Sequence, residues 1–222
     1  MLAALLFTGV VPAAEVLVLE TEDGARIHAD LLAGGPRGVI LAHGGRYTRS
    51  SWKAQAEILN RHGYTVLAPD FRGHGDSVGP GTDDPYSAPL HLDLLACVRH
   101  LRTHGAESVA IVGGSLGGLA AGDAALHAKP GEIDAIVFLA STASLRDADI
   151  SKLPGRKLFI VARDDRSGSG KPRLINIRRD QERVPPPSEL RIFEGEAHAQ
   201  ELFSTTQGAE VMDAILRFLD AR

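Results

Sequence analysis

The sequence predicts an α/β fold, a mostly parallel sheet with helices on both faces. Two observations lead there. Short continuous apolar runs, such as Gly38–Ala42 (GVILA), Ser108–Val112 (SVAIV) and Ala135–Ala140 (AIVFLA), alternate with helical segments. A strand that is apolar along its whole length is buried on both sides, as in a parallel sheet covered by helices. The chain is also large enough for one domain with a full core, with 222 residues of which 44 % are apolar.

The elements follow in order. Glu15–Glu20 and Ala25–Leu32 read as two strands around the turn Glu22-Asp23-Gly24. Gly38–Ala42 is a buried strand, Trp52–Arg61 a helix ended by His62-Gly63, and Thr65–Ala68 (TVLA) the next strand. Gly73–Pro89 is a long loop rich in Gly, Pro and Asp. Leu90–His104 is a helix with Leu90, Leu94, Cys97, Val98 and Leu101 on one face, stopped by Gly105. Strand Ser108–Val112, a small-residue helix over Leu116–Ala128 and strand Ala135–Ala140 follow. Lys157–Ala162 (KLFIVA) is another buried strand, Lys171–Glu182 a short helix and Leu190–Phe193 the last strand. Gly208–Ala221 closes the chain as an amphipathic helix with Val211, Ile215, Phe218 and Leu219 inward.

Leu2–Val11 is an apolar run followed by Pro12, Ala13 and Ala14. Small residues after an apolar stretch fit a signal peptide, although no Lys or Arg precedes the run. They fit equally an N-terminal extension. The expected organisation is a leader or extension over residues 1–14 and a single domain over 15–222. The first case implies export, the second a cytoplasmic protein. The run is shorter than the ~20 apolar residues a membrane-spanning helix needs, and no other segment is longer, so no stable membrane insertion is expected.

Composition excludes several classes. The 24 basic and 28 acidic residues give a net charge of −4, which argues against a nucleic-acid partner. One cysteine, Cys97, allows neither an internal disulfide nor a cysteine metal cluster, and it sits in an apolar helix stripe as a core residue. No metal or cofactor is called for. Oligomeric state is not legible.

In open α/β sheets, function gathers beyond the carboxyl ends of the strands. There the sequence places His43-Gly44-Gly45, Asp70, Gly113 to Gly117, Ser141, Asp164-Asp165 and His198. Gly113-Gly114-Ser115-Leu116-Gly117-Gly118 is G-x-S-x-G between a strand and a helix. A serine on so sharp a turn leaves no room for side chains two residues away on either side, hence Gly113 and Gly117. The string alone is weak, and its strand–turn–helix setting makes it specific. No Rossmann G-x-G-x-x-G or P-loop is present.

A serine hydroxyl needs a base, and the base an orienting acid. His198, in the loop after the last strand, is the best base of nine histidines. The acid should follow strand Lys157–Ala162, where Asp165 is preferred and Asp164 is a rival. The order Ser115, Asp165, His198 suits this fold. The tetrahedral oxyanion needs donors, expected from the backbone N–H of Leu116 and of Gly45, with Arg46 as the alternative to Gly45.

These motifs, with Asp70-Phe71-Arg72-Gly73-His74-Gly75-Asp76-Ser77 and Gly195-x-x-His198, resemble the α/β hydrolases over nearly the whole chain after residue 15. The resemblance is greatest to small bacterial esterases and to the lysophospholipase and monoacylglycerol-lipase-like branch. It implies a small-molecule ester as substrate and no catalytic role for Asp70, His74 or Asp76. His43 and His74 are then structural loop histidines. Ser141–Arg156 is too short for the helical lid that relatives insert there, so the site should be open or covered only by loops. The usual Gly-x-x-Asp of the acid loop reads Ala162-Arg163-Asp164-Asp165, a register that favours Asp165.

The leading expectation is a serine carboxylester hydrolase. A thioesterase, peptidase or acyltransferase would use the same residues, and a non-catalytic binding module would use the same fold. The basic stretch Arg166, Lys171, Arg173, Arg178, Arg179 and Arg183 reads first as a solvated helix face and second as an attractor of acidic substrates.

Overall fold

The computed structural model describes residues 13–84, 86–144 and 148–221. The apolar run Leu2–Val11 lies outside them. Eight strands form one sheet: β1 (Glu15–Glu20), β2 (Arg26–Leu32), β3 (Arg37–Ala42), β4 (Tyr64–Pro69), β5 (Ser108–Gly114), β6 (Ala135–Leu139), β7 (Arg156–Ala162) and β8 (Ser188–Phe193). Their order across the sheet is β1-β2-β4-β3-β5-β6-β7-β8. β1 and β2 pair antiparallel, as do β2 and β4, and all other neighbours are parallel. The five helices are α1 (Lys53–Arg61), α2 (Leu90–Thr103), α3 (Leu116–His127), α4 (Arg173–Arg183) and α5 (Gly208–Asp220). Among the described residues no further domain covers the sheet, and no helix is long and apolar enough to cross a membrane.

The apolar runs serve two cores at once. On β3, Ile40 and Ala42 face α2 and α3, while Val39 and Leu41 face α1 and α5. On β5, Val109 and Ile111 face one way and Ala110 and Val112 the other. Side chains alternate across a strand, so residues apolar on both phases require helices on both faces. β1 obeys the opposite rule. It sits at the sheet edge, and Val16 and Val18 remain exposed.

Several expected boundaries move by one or two residues, three of them for a visible reason. Trp52 belongs to a 3-10 turn over Arg49–Trp52, and the α-helix begins at Lys53. α4 begins at Arg173 rather than Lys171, because Pro172 caps it in an extended conformation. β8 begins at Ser188, earlier than its apolar residues suggest. Glu189 and Arg191 are exposed on this edge strand, so only its inner phase carries a hydrophobic signal.

Connections fix the location of a site. β3 leads through α1 to β4 on one side, whereas the adjacent β5 leads through α3 to β6 on the other. The direction in which successive strands are added reverses between the parallel β3 and β5, and a crevice opens at their carboxyl ends. Ala42 pairs with Gly113 at that point, so the loops after β3 and β5 start side by side.

Candidate active site

Ser115 follows β5 directly and opens α3, with φ 50° and ψ −112°. Non-glycine residues rarely adopt positive φ, and the surroundings must hold this one there. Its N–H donates to the Leu139 carbonyl at 2.9 Å, and its own carbonyl accepts from the N–H of Gly118 at 3.0 Å. A Cβ on Gly113 would overlap the Gly117 carbonyl, and one on Gly117 would overlap the carbonyl oxygens of Ala42 and His43. The glycines therefore allow α3 to pack against the ends of β3 and β5 while the serine stays partly exposed between them.

The loop after β8 brings His198 over that serine. His198 Nε2 lies 2.9 Å from Ser115 Oγ, and His198 Nδ1 lies 2.8 Å from Asp165 Oδ2. An ionised carboxylate can only accept, so Nδ1 carries the proton and the Nε2 lone pair is left for the serine hydroxyl. The His198 N–H donates to Glu201 Oε2 at 3.1 Å, which fixes the loop one turn further on. Asp165 is 1 % exposed. Asp164, its rival, points to solvent and does not reach His198. Its backbone N–H instead donates to the Gly195 carbonyl at 2.9 Å. Together with Arg163 N–H on Phe193 O at 2.7 Å, that bond joins the acid loop to the histidine loop.

Two peptide groups beside Ser115 are held by histidines. The Gly44 carbonyl accepts from His43 Nδ1 at 2.9 Å and from the Tyr47 N–H at 3.0 Å. His74 Nε2 lies 3.1 Å from the Gly45 carbonyl. Each peptide's N–H points opposite its carbonyl, so these bonds set the directions of the Gly45 and Arg46 N–H groups. Among the described residues, no hydrogen bond engages the N–H of Gly45, Arg46 or Leu116. A Cβ on Gly45 would lie 3.4 Å from Leu116 Cδ2, so the two donor-bearing residues are neighbours. His43 is fully buried, and that burial pulls its pKa down from 6.5 to about 4.

The sequence model of the α/β-hydrolase fold family matches residues 38–166. The chain belongs to that family. Within it, this α/β hydrolase is similar to proteins of differing chemistry. It is 35 % identical over 119 residues to "Epoxide hydrolase 3" of Siraitia grosvenorii, covering 53 % of this chain and 36 % of that protein. It is 32 % identical over 90 residues to a carboxylesterase of Bacillus subtilis (strain 168), covering 39 % of this chain and 35 % of that one. The matches span less than half the length of these curated relatives. In structure the α/β hydrolase resembles an esterase of Pyrococcus furiosus with a TM-score of 0.75 and 21 % identity, each chain covered to 93 %.

Three parts of the site escaped the sequence reading. Gln200 is buried beside Gly44 and Gly114, and its Nε2 donates to Ser51 Oγ at 3.1 Å. Arg173 Nε lies 3.3 Å from Asp165 Oδ1, and the Arg173 N–H donates to the Asp165 carbonyl at 2.9 Å. Ser141 and Thr142, after β6, line a cavity of about 200 Å³ that opens onto Ser115. Two of these carry a trace in sequence, Ser141 by its place after a strand and Arg173 as one member of the basic stretch, and neither trace points to a role. Ser115, Cys97 and the remaining described residues form no cluster of three or more groups suited to a metal ion. Cys97 is fully buried, and burial raises its thiol pKa.

Proposed function

We propose that this α/β hydrolase cleaves small carboxylic esters through an acyl-enzyme on Ser115. The observation that carries the reading is the unbroken chain Ser115 Oγ, His198 and Asp165, with links of 2.9 and 2.8 Å. Ser115 Oγ attacks the ester carbonyl carbon while His198 Nε2 takes the hydroxyl proton. Asp165 holds His198 in the tautomer with Nδ1–H and stabilises the imidazolium. The tetrahedral oxyanion is received by the N–H groups of Leu116 and Gly45, and each such donor contributes about 3 kcal/mol to the transition state. Collapse expels the alcohol, protonated by His198. Water then attacks the acyl-enzyme by the reverse sequence and frees the acid.

The similarity to epoxide hydrolases does not redirect this reading. Attack of a serine hydroxyl on an epoxide carbon forms an ether, which the same histidine and water could not cleave. Attack on an ester or thioester carbonyl forms an acyl-enzyme, which they can. A serine at the elbow therefore favours acyl chemistry.

The test is labelling with a fluorophosphonate probe together with turnover of short p-nitrophenyl esters. Wild-type protein is expected to label and to turn over, and Ser115→Ala and His198→Ala to lose turnover. Labelling that survives Ser115→Ala would refute the assignment.

A further inference from the structure

We propose that the cavity beside Ser115 is an anion-binding subsite, so that the preferred ester carries a carboxylate on its acyl part. The inference rests on the serine-hydrolase reading and adds a substrate class to it. The cavity of about 200 Å³ is lined by Ser115, Ser141, Thr142, Lys171, Arg173 and Asn176 among others. It holds two cationic side chains and, among the described residues, no carboxylate. A cavity of about 480 Å³ near Trp52 differs: there Arg49 and Lys53 are balanced by Asp30 and Glu57.

The two cations are differently engaged. Lys171 has no ion pair among the described residues. Arg173 meets Asp165 Oδ1 through Nε at 3.3 Å, and no described group accepts from its terminal nitrogens. Its guanidinium therefore has one edge against the triad carboxylate and donors left for the cavity, in the planar geometry that suits a carboxylate. α4 begins at this wall, and no acidic residue stands in its first turn. Cations at a helix N-terminus oppose the helix dipole, so their placement here works against the helix and adds to the positive field in the cavity. Hydroxyls of Ser141 and Thr142 and the Asn176 amide supply neutral polar partners on the remaining walls. Ser115 is itself part of the lining, and a volume of about 200 Å³ has room for the acyl part of a small dicarboxylic half-ester.

The experiment compares kcat/KM for monoethyl glutarate, for the uncharged ethyl pentanoate of equal chain length, and for ethyl acetate substituted with a carboxylate on the alcohol carbon. Monoethyl glutarate is expected to exceed ethyl pentanoate by about tenfold or more, the worth of one charge-assisted hydrogen bond. That ratio is expected to fall toward one in Lys171→Gln and to persist in Arg99→Gln, which removes a distant surface charge paired with Glu22. Preference for the alcohol-side carboxylate, a wild-type ratio near one, or a ratio untouched by Lys171→Gln would overturn the proposal while leaving Ser115-dependent hydrolysis of ethyl pentanoate as support for the esterase reading. Calorimetry on Ser115→Ala provides a readout that needs no turnover. Monoethyl glutarate is expected to bind, and binding to weaken about tenfold on adding Lys171→Gln. Failure to bind up to about 10 mM would overturn the subsite even if no ester proved to be a substrate.

Discussion

At the scale of single residues, two adjacent aspartates with unlike surroundings offer the sharpest contrast. Asp165 is buried and reaches His198, whereas Asp164 is exposed and acts through its backbone. Asp165→Asn is expected to lower kcat by about 10³ to 10⁴, because an amide at that position supports the wrong imidazole tautomer. Asp164→Asn keeps the backbone bond to Gly195 and is expected to change kcat by no more than about twofold. Steady-state kinetics on the two variants decides between them, and equal losses would remove the distinction. The sequence carries the proposed nucleophile more plainly than the proposed acid for a physical reason. Ser115 needs glycines on both sides to avoid backbone overlap, and that need is written in neighbouring residues. Which of two consecutive carboxylates turns inward depends on the path of the loop, tied to the β8 loop by bonds some thirty residues away in sequence. Arg173 is hidden for the same reason, since nothing local marks its approach to Asp165.

At the scale of elements, the legible features were those with a period. β3, β5, β6 and β7 are apolar on both phases, and both phases are buried in opposite cores. The irregular connections were not legible, because polar contacts rather than periodicity hold them. The loop after β4 is the main example. Fully buried Arg72 joins it to α2 and to the β1–β2 turn, donating from Nε to Asp93 Oδ1 at 2.9 Å and from Nη2 to Asp23 Oδ1 at 3.0 Å. Asp93 is itself fully buried and also accepts from the Arg72 N–H at 3.0 Å. Asp93→Ala would leave the buried Nε, one Nη2 proton and the Arg72 N–H without an acceptor while the bonds to Asp23 remain, which is expected to cost about 3 kcal/mol. Replacing both partners by apolar residues, Arg72→Met with Asp93→Leu, removes the unsatisfied donors and is expected to restore part of that loss. Urea unfolding of the single and double variants measures both effects. A double variant less stable than Asp93→Ala would show that the network's bonds to the loop and to the β1–β2 turn outweigh the cost of burying its charges.

At the scale of the whole molecule, the carboxyl-end crevice carries a determinant of acid stability in His43. This ring lies beneath the loop after β3, where its Nδ1–H holds the Gly44 carbonyl and its Nε2 accepts from the Phe71 N–H at 3.0 Å. Protonating Nε2 would set two donors against each other in a buried place, and burial is the largest cause of the depressed pKa of about 4. In the unfolded chain the ring titrates near 6.5. Between these values the unfolded state binds more protons, so stability rises with pH across the window and is lost as pH falls from 6.5 to 4. The full difference is on the order of 3 kcal/mol. Asp23, held near 2 by Arg72, extends the loss below its ordinary 3.8, because its carboxylate must then be protonated away from the guanidinium. A glutamine at 43 can donate and accept without titrating. His43→Gln is therefore expected to flatten the dependence of unfolding free energy on pH between 4 and 6.5 while leaving the steeper fall below 3.8. Urea titrations at stepped pH on both proteins give the comparison, and parallel curves through the upper window would mean that His43 is not the group that titrates there.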